Sequence, residues 1–258
     1  MKRDSHGDRM KYYESLETDK RLMKGIPIYG RLDGKSFSKF TKVFKYPYDA
    51  KFREVFDNVS KFLVEEFNVD LVYHQSDEIS FCWLSDPEDN KEIIFGGKVQ
   101  KIVSVLAAKV SSRFVIEALE MFPEHKEHII KNTPAFDCRV FNVPNLSELA
   151  NEFVWREKDC TRNSLSMLAS SMYSHKQLMG KSSADKHDMI HTKGDNWNNW
   201  PVAFKRGHYL RKENYKLDEN DPDSPIRSKV VVVEHPPITK VRNKVGVLFY
   251  KEKPEMME

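Results

Sequence analysis

Cysteine is scarce in this sequence: Cys82, Cys138 and Cys160 are the three in 258 residues, widely separated and without a CxxC pair. That excludes a disulfide framework and a cysteine zinc site, and points to a reducing compartment, the cytoplasm. Cys82 lies in an apolar run and reads as a small core residue rather than a nucleophile. HxH and HExxH spacings are missing too, so His74, His175, His187, His191, His208 and His235 read as ordinary surface or structural residues. No run reaches the roughly 18 apolar residues of a membrane span. The charged first residues lack the apolar core of a secretory signal, so a soluble protein with no membrane partner is expected. Internal repeats and low-complexity segments are absent. So is an excess of one charge: 42 basic against 39 acidic residues give a net charge of +3. Any nucleic-acid binding must then rest on local basic patches.

What is present is enough chain for one large domain or two small ones, and two apolar stretches that each break into an acid. The first is Ile28-Tyr29-Gly30-Arg31-Leu32-Asp33-Gly34-Lys35-Ser36-Phe37, and the second is Leu71-Val72-Tyr73-His74-Gln75-Ser76-Asp77-Glu78-Ile79-Ser80-Phe81. After a leading helix within residues 1–24, residues 26–32 read as a strand ending at Asp33-Gly34. Asp49 is a good N-cap for a helix to about Phe67, whose Phe52, Val55, Phe56, Val59, Phe62, Leu63 and Phe67 have helical spacing. Residues 71–75 and 79–84 flank Ser76-Asp77-Glu78 as a β-hairpin. A helix follows Gly96-Gly97, and then a strand over 136–143. Strand, helix, two strands, helix, strand is the β-α-β-β-α-β ferredoxin-like order of an α+β palm.

In that topology the first strand is central and pairs with the hairpin, so Asp33 and Asp77 meet at one edge of the sheet. Polymerase palms and nucleotidyl cyclases share this layout. Residues 1–144 are read as a palm-like catalytic domain. Residues 145–258 are read as a helical, basic region packed on it, with helices over 146–172, 176–179 and 184–190. A strand or hairpin is expected at 202–211, a final strand pair at 230–234 and 245–250, a solvated acidic loop at 218–223, and a frayed tail at 251–258.

An acid at the end of a buried strand is costly without a cation beside it. Asp33 and Asp77 together suit divalent metal, and Mg²⁺ takes one or two carboxylates plus substrate phosphates, as in two-metal phosphoryl transfer. Glu78 is either a third catalytic acid or a structural one, and Ser76 a turn residue. Arg31, Lys98 and Lys101 border the site and are candidate triphosphate contacts. Arg139 must pair with phosphate or with an acid such as Asp137. Lys181, Lys186, Lys205, Arg206 and Arg211, near Trp197 and Trp200, offer phosphate contact and stacking to RNA.

The motifs Arg31-Leu32-Asp33-Gly34-Lys35-Ser36-Phe37 and Gln75-Ser76-Asp77-Glu78-Ile79-Ser80-Phe81 resemble the two signatures of the tRNA-His guanylyltransferases, which add nucleotides in the 3′-to-5′ direction. Gly7-Asp8-Arg9-Met10-Lys11, Phe136-Asp137-Cys138-Arg139-Val140, Trp155-Arg156, Asp159-Cys160, Asn163, Gly180-Lys181 and Phe204-Lys205-Arg206-Gly207 also fit, over about residues 5–212. The resemblance implies a polymerase-like palm, a homotetramer and two Mg²⁺ ions held by Asp33, the Gly34 carbonyl and Asp77. It implies nucleotide binding by Arg31, Gly34, Lys35, Ser36, Phe37, Ser76, Lys98 and Lys101. It implies RNA contacts by Arg139, Asn163, Lys181, Lys205 and Arg206. The substrates it implies are ATP, GTP or other triphosphates and a tRNA with a truncated or monophosphorylated 5′ end. Members dedicated to histidine tRNA carry His-Ile-Asn-Asn-Leu-Tyr-Asn where this chain has Thr161-Arg162-Asn163-Ser164-Leu165-Ser166-Met167. The chain therefore resembles the bacterial, archaeal and phage branch, associated with templated repair of tRNA 5′ ends. A palm-type cyclase is the alternative enzyme, disfavoured by the Gln75-Ser76-Asp77-Glu78 hairpin and the long basic C-terminal half. A non-catalytic RNA-binding module is disfavoured by the presence of both Asp33 and Asp77.

Overall fold

The computed structural model describes residues 4–85, 92–218 and 223–257. Helix α1 (Ser5–Thr18) is capped by Asp4, whose Oδ1 accepts from the Gly7 amide at 3.0 Å. Strand β1 (Ile28–Lys35) is followed by the short α2 (Phe37–Phe40) and by α3 (Ala50–Phe67). Asp49 caps α3 as expected, accepting from Lys51 and Phe52, and Asn68 ends it in the left-handed region. Strands β2 (Leu71–Gln75) and β3 (Glu78–Trp83) form the expected hairpin around a two-residue turn. Helices α4 (Val99–Met121) and α5 (Lys126–Lys131) lead into β4 (Ala135–Asn142). Then come α6 (Leu146–Met172), α7 (His175–Leu178), α8 (Ser183–Thr192), α9 (Val202–Arg206), β5 (His208–Lys216), β6 (Ile226–Val233) and α10 (Lys244–Tyr250).

The six strands run β4-β1-β3-β2-β5-β6, every neighbouring pair antiparallel. The first four are in ferredoxin-like order, with β1 central as the sequence predicts. Alternate residues feed two cores, because side chains of a strand point to opposite faces. Leu32, Val72, Ile79 and Phe81 pack with α3 and α4 on one face. Tyr29, Leu71, Tyr73 and Cys82 pack with α6 and α10 on the other. A third cluster joins α6 to α8 and α9 through Leu168, Ile190, Trp197 and Phe204. Among the described residues no helix is long and apolar enough to cross a membrane.

Four local readings are corrected. β1 continues through Asp33-Gly34 to Lys35, so the acid lies within the strand and not at its tip. Residues 202–206 form a helical turn after Pro201, which seats Phe204 in the third cluster. The strand starts only after Gly207, whose φ of 75° and approach to the His74 carbonyl leave no room for a Cβ. Residues 245–250 belong to α10 despite their β-branched content, because Val247, Leu248 and Phe249 pack together on the sheet. The tail is tied down, with the Arg242 amide donating to the Glu255 carbonyl at 2.7 Å and the Met257 amide to the Lys240 carbonyl at 2.9 Å. Of the acidic loop, residues 219–222 lie outside the described residues.

Glu157 on α6 is 1% exposed, accepts from the Tyr209 hydroxyl at 3.3 Å through Oε2, and has no partner on Oε1. Burial pushes its pKa from 4.5 up to about 7, against the opposing hydrogen bonds. A raised carboxyl pKa means the fold prefers the neutral acid. The cost is therefore absent below pH 4.5, grows as pH rises, and is full above pH 7 at about 3 kcal/mol. Glu157→Gln should raise the thermal midpoint by several degrees at pH 8.5 and leave it unchanged at pH 4.5. A gain of equal size at both pH values in thermal unfolding would assign the effect to packing instead.

Candidate active site

The register of β1 with both neighbours builds the site. Asp33 stands opposite Glu78 on β3 and opposite Asp137 on β4, so three carboxylates form one row across three strands on the α6 face. One step back, Arg31 stands opposite Ser80 and Arg139. Like charges directly opposite repel, so the row needs cations. Arg156 of α6 supplies one, donating from Nε to Glu78 Oε1 and from Nη2 to Oε2, both at 2.6 Å. The same Nη2 reaches Asp159 Oδ2 at 2.9 Å, and Arg31 Nε lies 4.0 Å from Glu78. Arg139 donates to Asp137 at 2.6 Å, the acid pairing that the sequence allowed.

Neither Asp33 nor Asp77 forms an ion pair among the described residues, although the charge of Arg139, committed to Asp137, also acts on Asp33. Asp77 follows Ser76 in the hairpin turn, and its carbonyl accepts from the Gly34 amide at 2.9 Å, which ties the turn to β1. Burial raises the Asp77 pKa, and the charge of Asp33 adds to the rise. Ser76 sits at φ 50°, a left-handed conformation that a non-glycine residue adopts at some cost, and its hydroxyl bonds Asp77. Packing requires a glycine at 34, because a Cβ there would lie 2.3 Å from the Phe37 ring. Two neighbouring carboxylates without a cation, beside a free backbone path, form a hard oxygen set that fits Mg²⁺.

A cavity of about 620 Å³ opens beside this turn. It lies between α3 and the C-terminal half of α6, closed by α9, and its walls include Phe44, Tyr46, Tyr48, Phe52, Phe56 and Met167, with Ser76 and Asp77 at one end. Phe37 and Asn163 line it, Asn163 also donating to Asp159 at 3.2 Å. Phe37 is otherwise a core ring, packed on Phe40, Phe114 and Phe136. Lys35 and Ser36 are exposed at the end of β1. Lys98 and Lys101 are not brought to the site within this chain. α4 begins at the opposite end of the sheet, where the Leu22 amide donates to Gly97 and the Met23 amide to Asn142, the register partner of Ile28. Lys205 is buried, with Nζ on the Asn198 carbonyl and over the Trp197 ring, so its charge holds that loop and is not free for RNA. Lys181 is exposed and Arg206 half-buried.

Sequence reasoning missed Arg156 as the partner of Glu78, although Phe153 and Cys160 at helical spacing place it on a buried stripe, where a cation needs a buried acid. Asp137 was seen only as a partner for Arg139. The network of Arg53, Asp57, His74 and His208 left no local signal, because its members come from three elements. Trp155 is about half exposed beside the row, with the Arg31 and Arg156 guanidiniums 5.4 and 4.5 Å from its ring centre.

A ferredoxin-like palm with carboxylates aligned on neighbouring strands, next to a nucleotide-sized cavity, defines a palm-type nucleotidyltransferase. Residues 7–144 match the family described as Thg1: tRNAHis guanylyltransferase, and the chain belongs to that family. A bacterial tRNA(His) guanylyltransferase (Thg1)-like protein in complex with ATP is 34% identical, with a TM-score of 0.82 over 96% of this chain and 100% of that one. The structure of such a bacterial protein in complex with GTP is 33% identical, with a TM-score of 0.76 over the same shares. The tRNA(His) guanylyltransferase of Schizosaccharomyces pombe is 30% identical over 80% of each chain.

Removing one partner of a buried ion pair strands the other charge, at a cost of about 3–5 kcal/mol. Arg156→Met should lose stability of that order in urea unfolding, and Glu78→Gln added to it should recover most of the loss. Arg156→Met within about 1 kcal/mol of the parent would show that water reaches Glu78 in solution.

Proposed function

We propose that this protein is a Mg²⁺-dependent enzyme that adds nucleotides to tRNA 5′ ends in the 3′-to-5′ direction, copying the opposing strand. The observation that carries the reading is Asp77 at the end of a nucleotide-sized cavity with the charge of Asp33 acting on it from β1, neither acid being in an ion pair among the described residues. Family membership and the likeness to bacterial proteins in complex with ATP and with GTP support it. Asp33, the Gly34 carbonyl and Asp77 are the proposed metal ligands. Bound there, Mg²⁺ supplies charge neutralisation for the triphosphate and activation of the attacking oxygen.

The cavity takes the activating nucleotide, with its base among the aromatic walls and its phosphates toward Ser76, Gly34 and Lys35. A 5′-phosphate oxygen of the tRNA attacks the α-phosphorus and releases pyrophosphate. The 3′-hydroxyl of an incoming triphosphate then attacks the activated 5′-phosphorus and releases the nucleoside monophosphate. This chain's residues position and neutralise, as in phosphoryl transfer generally. Glu78, clamped by Arg156, acts by holding the row of acids in place. Arg31 and Arg139, on the same face, together with Asn163, Lys181 and Arg206, are the proposed contacts to RNA phosphates. Residues 1–144 form the catalytic palm in this reading, and residues 145–258 pack on it and contribute RNA contacts. A homotetramer working in the cytoplasm completes the proposal.

The departure of residues 161–167 from the histidine-tRNA pattern favours templated addition. A site that holds a triphosphate through metal and phosphates discriminates bases little, so pairing with the opposing strand must decide.

Asp33→Ala and Asp77→Ala should each lower nucleotide addition by about a hundred-fold or more while thermal unfolding stays cooperative. The substrates are tRNAs lacking one 5′ nucleotide, with each base in turn at the opposing position. The parent should add the complement of that base. Efficient guanylate addition opposite all four bases would instead mark a dedicated guanylyltransferase, and an active Asp33→Ala variant would remove the site assignment.

A further inference from the structure

Asp57 of α3 is 5% exposed and is the meeting point of three other polar side chains. Arg53 Nη1 donates to its Oδ2, one turn earlier on the same helix. His74 Nε2, from β2, donates to Oδ1 at 2.7 Å. His208 Nδ1, from β5, lies 2.9 Å from the same Oδ1 and 3.1 Å from Arg53 Nη1. Burial alone would raise the Asp57 pKa, but the hydrogen bonds from His208 and His74 outweigh it and hold the acid ionised. Burial lowers the pKa of His74, against the opposing hydrogen bond and charge of Asp57. Although the three ligand-type atoms of Asp57, His74 and His208 are within 4.8 Å of one another, the guanidinium already supplies the charge a metal would bring.

A buried ionic network seldom adds stability over apolar packing, so its effect is to fix an orientation. What it fixes here is Arg53, which forms part of the cavity wall. Several other polar groups of that wall are committed or peripheral. Asp49 caps α3, the Ser164 hydroxyl donates to the Thr161 carbonyl and accepts from Trp197 Nε1, and Lys42 and Lys45 are exposed at the rim. Arg53 stands among rings: Phe52 precedes it, Tyr48 is hydrogen-bonded to it, and Phe56 stacks on His74 with 5.8 Å between ring centres. Rings in such number around a guanidinium suit a base.

We propose that Arg53 reads the base of the nucleoside triphosphate bound in this cavity and gives it a preference for guanine over adenine. The inference rests on the cavity being the nucleotide site. A guanidinium carries five N–H donors in a rigid fork, and guanine presents O6 and N7 as two adjacent acceptors on one edge. Adenine places an amino donor where guanine has O6, so it meets the same fork with one acceptor and one donor. Asp57, His74 and His208 are positioning residues, holding the fork to one direction.

The test is calorimetric titration of the full chain with GTP and with ATP, in Mg²⁺ and without tRNA. The parent should bind GTP about ten-fold tighter than ATP. Arg53→Lys keeps a cation beside Asp57 and loses the fork, so GTP affinity should fall to about that for ATP, with ATP affinity changing by less than about three-fold. Arg53→Gln should show the same loss of preference, and thermal unfolding checks that each variant is folded. Equal losses for both nucleotides would place Arg53 on the phosphates and overturn the inference. An unchanged ratio, or tighter binding of ATP by the parent, would overturn it as well. Ala203→Trp, which fills the cavity, separates the two levels. If it leaves both affinities intact, the cavity is not the nucleotide site and the underlying reading fails, whereas Arg53 alone failing leaves that reading standing.

Discussion

Repulsion between carboxylates sets the terms for this molecule. The pairing of β1 with β3 and β4 places Glu78, Asp33 and Asp137 side by side, and a sheet will not hold such a row unless cations answer it. The outer two are answered from within the chain, by Arg156 and Arg139. Arg156 has to arrive from α6, so the position of that helix across the sheet is tied to the acids it serves. Tyr29 packing on Phe153 reinforces the same placement. The middle acid and its neighbour Asp77 form no ion pair among the described residues, which is why a cation from solution is proposed for them.

The devices around the row follow from the same constraint. Glu78 is clamped through both oxygens, which gives little stability over apolar packing but leaves its side chain one direction to point. Ser76 accepts a left-handed backbone, so the turn stays at two residues and Asp77 is presented next to Gly34. A glycine at 76 would relax the turn and lose the hydroxyl that bonds Asp77. Left-handed backbone at two non-glycine residues close to these acids, Ser76 and Ser36, is the pattern expected when position matters more than stability.

Much of this was legible from residue patterns. The helical stripe of α3, its Asp49 cap and the hairpin around Ser76 announce themselves locally, and the order of elements implies a central β1 without any knowledge of distances. The acids Asp33 and Asp77 stood out because apolar strands rarely break into charge. What was hidden is what depends on partners far along the chain. Residues 245–250 have the composition of a strand, and only packing on a sheet face already built makes them a helix. Lys205 looks like a surface cation until Trp197 and the Asn198 carbonyl enclose it. His74 has no motif spacing, and Asp57 and His208, 17 and 134 positions away, give it a role that no window along the chain reveals.

The two faces of the sheet divide the work. Side chains at Arg31, Asp33, Glu78, Asp137 and Arg139 share the α6 face, open beside the half-exposed Trp155. The cavity lies beyond the end of the hairpin, walled largely by α3, and it holds aromatic rings with few free polar groups. An RNA end needs the first kind of surface, charged and accessible, because phosphates bind through Arg and Lys and carry counterions with them. A purine needs the second, enclosed and aromatic. The turn at Ser76-Asp77 touches both, lining the cavity while the Asp77 carbonyl is bonded to β1 beside Asp33. In the proposed reaction, a nucleotide held in the cavity and an RNA lying on the open face would meet at that turn. The acids without an ion pair stand beside it, and the arginine-paired ones stand one step away.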